Sequence, residues 1–256
     1  SIQKNCNMMR LGAEWHPLAC LNDRETMAGQ TISVPYNSDA IPAYCAEPGN
    51  GSDVGVVIVS AIFGVDDDTK KIFDDLAAEG YPALALNMFW EDDDPDVIAI
   101  SPEGAERGKA RAGRVDRAAG NAYIGACIED LKSRASCNGK IVVMGFCFGG
   151  PYVVQSAARH GIDGGISFHG SFVEKFLGEF ENISCPLDFH YGDNDAVAPM
   201  EAIDQVRSAC DQRDDAEVYV YPGGEHGYMF PNRGAGYQAE AAQLSWQRAL
   251  EFLRKI

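Results

Sequence analysis

The sequence predicts an α/β protein with a mainly parallel central sheet and helices on both faces. Strand-like and helix-like segments alternate from residue 54 to the C-terminal end, the pattern that builds parallel sheets with crossover helices. Residues 54–60 form a continuous apolar run, as in a strand buried on both faces. A glycine-rich turn at 145–150 joins an apolar strand directly to a helix-like segment.

Residues 1–27 show little periodicity and are expected to form an extension packed on a single domain of residues 28–256. Residues 30–34 and 41–46 are short β-like runs around Asn37-Ser38-Asp39, a hairpin pattern. In 67–79, Ile72, Phe73, Leu76 and Ala77 form a helical stripe that ends at Gly80. Residues 82–86 are a strand, 91–102 an acidic loop and 114–134 a long helix. Residues 141–144, 165–168, 187–191 and 217–221 are strands; 149–159, 202–209 and 238–254 are helices. Right-handed crossovers place the loops at the strand C-terminal ends along one sheet edge, where ligands bind.

Composition narrows the function. A formal charge of −17 opposes nucleic-acid phosphates and anionic lipids, so neither is expected as a partner. No apolar run reaches the roughly 18 residues of a membrane span, and the first 20 residues do not read as a signal peptide. Eight cysteines show no CxxC spacing, which argues against zinc or thioredoxin-like chemistry. They read as reduced thiols of a cytoplasmic monomer or homodimer, mostly small buried hydrophobes. No metal or cofactor is expected. Glu91-Asp92-Asp93-Asp94 reads as a solvated loop, since no spaced oxygen-ligand motif accompanies it. Asp66-Asp67-Asp68 reads as an N-cap cluster.

Gly145-Phe146-Cys147-Phe148-Gly149 follows a strand and opens a helix. It is the G-x-S-x-G nucleophile elbow with Cys in place of Ser. The glycines suit a sharp turn where strand and helix approach closely, and a helix N-terminus favours thiolate over thiol. Asp193-Asn194-Asp195 follows the strand two further on, and Glu225-His226-Gly227 follows the next strand. The order nucleophile, acid, histidine is that of α/β-hydrolases. Cys147 is the expected nucleophile, His226 the base and Asp195 the acid that orients it. Asp193 is the competing acid, and Glu225 is expected to be solvated. Backbone N–H groups of Phe148 and of the loop at 61–64 would form the oxyanion hole. His169, at a strand end, reads as a structural residue with its own hydrogen bond near the site edge.

Together, Ala61-Ile62-Phe63-Gly64-Val65, Gly145-Phe146-Cys147-Phe148-Gly149-Gly150, Gly192-Asp193-Asn194-Asp195 and Glu225-His226-Gly227-Tyr228 resemble the dienelactone hydrolase (carboxymethylenebutenolidase) family over roughly residues 30–256. The resemblance implies an α/β-hydrolase fold and a Cys147–Asp195–His226 triad. It also implies backbone donors at Ile62 and Phe148. Two positions depart from the family. A glutamate that helps ionise the cysteine when substrate binds is replaced by Ala61, and an arginine that binds the substrate carboxylate is replaced by Phe230. Arg233, or Arg107, Arg111 or Arg114, could supply a cation instead.

A thiolate leaves a tetrahedral intermediate more easily than an alkoxide does, so a cysteine nucleophile suits substrates with stabilised leaving groups. The expected substrate is a small enol lactone or aryl ester. A thioesterase, or a catalytically silent thiol protein acting in redox or binding, is the alternative. Ala61, Phe63, Trp90, Tyr228, Phe230, Arg107 and Arg233 are the expected substrate contacts, and Met88, Phe89, Phe148 and Met229 add apolar wall or core.

Overall fold

The computed structural model describes residues 29–256. The expected extension at 1–27 lies outside the described residues, as do Cys6 and Cys20.

Eight strands form one sheet: β1 (Gln30–Tyr36), β2 (Asp39–Ala46), β3 (Asp53–Val59), β4 (Ala83–Leu86), β5 (Cys137–Phe146), β6 (Gly164–Phe168), β7 (Leu187–Gly192) and β8 (Ala216–Tyr221). Their order is β1-β2-β4-β3-β5-β6-β7-β8. The β1–β2 hairpin and the β2–β4 pair are antiparallel, and every pair from β4 to β8 is parallel. The sheet is the mostly parallel α/β-hydrolase sheet.

Burial explains the apolar run of β3. Val57 and Val59 face one core with β5, and Val56 and Ile58 face the other. The first core lies under α3 (Arg117–Lys132), α4 (Gly150–Arg159) and α5 (Met200–Cys210); the second lies under α1 (Asp67–Glu79) and α6 (Ala239–Leu253). With both faces covered, alternation would leave polar groups stranded in apolar surroundings. Cys45, Cys127, Cys137, Cys185 and Cys210 are free and buried in these layers.

Two readings are corrected. The segment preceding residue 114 holds a separate helix, α2 (Pro102–Ala112), and α3 begins only at Arg117. Each has its own N-cap: the Ser101 hydroxyl accepts from the Gly104 N–H and the Asp116 carboxylate from the Ala119 N–H. Ser101-Pro102-Glu103 is a helix-start signal, but the buried face of α2 offers little more than Gly104, Gly108 and Arg111, so no hydrophobic stripe marks it. The acidic segment is also less solvated than expected. Glu91 accepts from the Tyr123 hydroxyl, Asp92 pairs with Arg114 at 2.6 Å, and Asp94 pairs with Arg107 at 2.9 Å. No helix among the described residues is long and apolar enough to cross a membrane.

Candidate active site

The site forms where β3, β5, β6, β7 and β8 end on one sheet edge. Cys147 sits at the turn between β5 and α4 with φ 53°, a left-handed conformation that costs a non-glycine residue energy. Close packing enforces it. A Cβ on Gly149 would lie 2.1 Å from the Val59 carbonyl oxygen, and one on Gly145 2.4 Å from the Gly149 carbonyl oxygen. Only glycine fits at either position, so the turn stays tight and Cys147 is forced outward at its tip.

Asp195 follows β7. Its carboxylate accepts from the backbone N–H groups of Val197 at 2.7 Å and Ala198 at 2.9 Å, and from Nδ1 of His226 at 2.8 Å. The side chain is fully buried. Asp193, two residues earlier, is exposed and accepts instead from the Gly223 N–H at 2.6 Å, tying the β7 and β8 loops together. Glu225 is exposed.

The second ring nitrogen of His226, Nε2, is buried and completes no well-aligned hydrogen bond. The ring nonetheless acts on the thiol. Burial alone would raise the Cys147 pKa, but the charge of His226, the Ser171 hydroxyl and the Phe148 N–H outweigh it and bring the thiol down to about 7. Burial would lower His226; the Cys147 thiolate and Asp195 overcome it and raise the imidazole to about 10. Thiolate and imidazolium are thus stabilised as a pair. Among the described residues no cluster of acidic, histidine and cysteine side chains could hold a metal ion.

A cavity of about 680 Å³ opens over Cys147. Ala61, Ile62, Phe63, Phe148, His226 and Arg233 line it, as does His169, expected near the site edge; Arg117, Lys109 and Ser171 line it too, which the sequence did not point to. Arg233 lies 3.8 Å from Asp66 and over the Phe63 ring at 4.2 Å. Asp66 also caps α1 as expected, accepting from the Thr69 N–H at 2.9 Å.

Four expected contacts lie elsewhere. Trp90 packs edge-on to Tyr36 and Tyr123 in a separate aromatic cluster. Tyr228 and Phe230 are buried in the second core, against Tyr221 and Phe146 respectively. Arg107 is exposed and paired with Asp94. Neither Arg111 nor Arg114 supplies the missing cation. Arg114 is held by Asp92, and Arg111 is fully buried, donating to the carbonyls of Ile62, Asp94 and Asp96 while stacking on Phe89 at 4.0 Å. Arg111 therefore fixes the Ile62 peptide. His169 is buried as expected of a structural residue, but its Nδ1 has no hydrogen-bond partner; the ring packs edge-on to His226 at 5.1 Å.

Residues 41–256 match the model of the dienelactone hydrolase family. The chain belongs to this family. Membership makes it an ester or lactone hydrolase by class. A protein of Escherichia coli strain K12 provisionally named carboxymethylenebutenolidase is 29% identical over 91% of this chain and 89% of its own length. The carboxymethylenebutenolidase of Pseudomonas putida is 26% identical over 90% of this chain and 98% of its own length. Among solved structures, a Klebsiella pneumoniae protein provisionally described as a dienelactone hydrolase superposes with TM-score 0.79 at 25% identity, covering 89% of this chain and 98% of that one.

Proposed function

We propose that this dienelactone hydrolase family member cleaves activated esters or lactones, of the enol-lactone or aryl-ester kind, through a Cys147–His226–Asp195 triad and an acyl-enzyme. The observation that carries the reading is the outward, left-handed Cys147 beside an imidazole whose far nitrogen is held by Asp195. The thiolate of Cys147 attacks the acyl carbon, and the negative charge passes to the carbonyl oxygen. Backbone N–H groups of Phe148 and Ile62 receive that oxygen. The C–O bond to the leaving group breaks as the intermediate collapses, and the imidazolium of His226 gives its proton to the leaving oxygen. The neutral ring then takes a proton from water, whose oxygen attacks the thioester. Collapse of the second intermediate breaks the C–S bond, releasing the acid and restoring the ion pair. Asp195 holds the ring in one orientation throughout. In a lactone the leaving oxygen stays tethered to the acyl group, so ring opening gives a hydroxy acid or its keto form.

A largely apolar cavity of this size accepts an aryl or unsaturated ring. The test is hydrolysis of an aryl ester and an enol lactone by the wild-type protein and by Cys147→Ala, with mass spectrometry of the quenched wild-type enzyme. Loss of turnover and an acyl adduct on Cys147 are expected. Undiminished turnover by the variant would overturn the assignment.

A further inference from the structure

The thiol has a second polar neighbour besides His226. Ser171 Oγ lies 3.4 Å from Cys147 Sγ, within hydrogen-bond reach of sulfur. Its backbone N–H also donates to the Cys147 carbonyl at 2.9 Å. Ser171 is buried and lines the cavity. The main-chain contact holds the residue beside Cys147, and the side-chain contact places its hydroxyl at the sulfur.

The loop after β6 is built to make this approach. A Cβ on Gly150, in the first turn of α4, would lie 2.4 Å from the Gly170 Cα, so the loop can cross the helix start only because that residue is glycine. His169 and Phe172, flanking the Gly170-Ser171 pair, both have left-handed backbones, φ 39° and 62°. A loop with two non-glycine residues so placed is held by its surroundings. The other charged or titratable groups around the thiol are His226 from the β8 loop, His169 from the β6 loop and Arg233 from the segment after β8, with Lys109 of α2 and Arg117 of α3 in the same cavity wall. Asp195 stands behind His226, and Asp66 beside Arg233.

We propose that Ser171 is a positioning residue whose hydroxyl donates a hydrogen bond to the Cys147 thiolate and holds the charged sulfur ready for attack. This rests on Cys147 being the nucleophile. In the thiolate, sulfur carries the charge and the bond is charge-assisted. As sulfur bonds to the acyl carbon, the charge moves to the carbonyl oxygen and the bond to Ser171 weakens. Ser171 thus favours the thiolate of the resting enzyme over the thiol, and does little for the transition state. Its removal should make thiolates fewer, and each one no less nucleophilic.

Alkylation by iodoacetamide, followed at the Cys147 peptide as a function of pH, tests this in the whole chain. Ser171→Ala should move the midpoint up by roughly one pH unit, as expected for one hydrogen bond to a charged group. The rate one unit below the wild-type midpoint should then fall about tenfold, while the alkaline plateau is not reduced. Ser171→Thr, which keeps the hydroxyl, should restore the wild-type midpoint. The acid limb of kcat/KM for an aryl ester should shift with the alkylation curve. Should the alanine variant fail to fold, Ser171→Gly carries the same comparison. An unchanged midpoint, or a threonine variant as shifted as the alanine one, would overturn the proposal. Failure of the nucleophile reading looks different: Cys147→Ala would keep aryl-ester turnover, whatever the alkylation midpoints.

Discussion

Nδ1 of His226 lies 2.8 Å from Oδ2 of Asp195, and the same carboxylate is pinned by two backbone N–H groups of its own loop. The acid is anchored before it meets the ring, so the ring inherits its orientation from the β7 loop. Asparagine at 195 would place an N–H where the carboxylate accepts, or turn its oxygen to the ring and present that N–H to Val197 and Ala198. Asp195→Asn is predicted to preserve the fold and lower kcat by about three to four orders of magnitude, the scale seen when a triad acid is replaced. Asp193→Asn keeps an acceptor oxygen for the Gly223 N–H and should leave kcat within a few-fold of wild type. Steady-state kinetics of the two variants decide between the acids; a larger loss at 193 would reverse the assignment.

Cys147 should be the fastest-alkylated cysteine among those described, because the other five are buried. With the thiol lowered to about 7 and the imidazole raised to about 10, the thiolate predominates above about pH 7 and is lost as pH falls through that value. The alkylation midpoint is therefore predicted below the free-thiol value of about 8.5. Ala61 packs in the same apolar cluster as Cys147 and brings no charge there. Ala61→Glu would put a carboxylate against the thiolate, raising the midpoint by like-charge repulsion and slowing alkylation at neutral pH. A midpoint at or above the free-thiol value in the wild-type protein would contradict a standing ion pair.

Arg111 is predicted to matter for both stability and turnover although it touches no substrate. Arg111→Met removes the guanidinium that stacks on Phe89 and donates to three carbonyls, including that of Ile62. The three bonds are only part-buried and Asp96 is an exposed residue, so a loss of about 1–3 kcal/mol is expected in urea unfolding. A loosened Ile62 peptide should also lower kcat more than it raises KM. Unchanged urea midpoints would show that the loop is held by other contacts.

Asp188, in β7, is pushed up to about 7 by burial and by the neighbouring charge of Glu217, against the opposing pull of Lys255 and Arg248. A carboxyl raised in the folded state keeps its proton after the unfolded chain has released its own at about 3.9. Between those values the folded state binds more protons, so this group's contribution to stability falls as pH rises and levels off above about 7. Asp188→Asn should therefore raise the melting temperature above neutral pH and leave it nearly unchanged near pH 4. Equal effects at both values would remove Asp188 from the pH dependence.

Much of the sheet and the order of the candidate triad were legible in the chain because they are written in short segments. A run buried on both faces must be apolar throughout, as β3 is, and a tight strand–helix turn must have glycine where backbone crosses backbone, as at Gly145 and Gly149. Residue type at the end of each strand then named Cys147, Asp195 and His226. The cavity wall was legible only in part, at Ala61, Phe63 and Arg233. Tyr228 and Phe230 follow His226 closely, yet a turn carries them into the second core, while Arg117 reaches the cavity from a helix thirty residues before the cysteine. The neighbour of the thiol was hidden for the same reason. Ser171 stands 24 residues from Cys147, and only the parallel register that sets Phe146 opposite Phe168 brings the two strand ends together. Local pattern determines which backbone a segment adopts, because sterics and burial act within a few residues. Which side chains meet over the sulfur is decided by strand order, register and the crossing of loops, which depend on the whole chain packing at once.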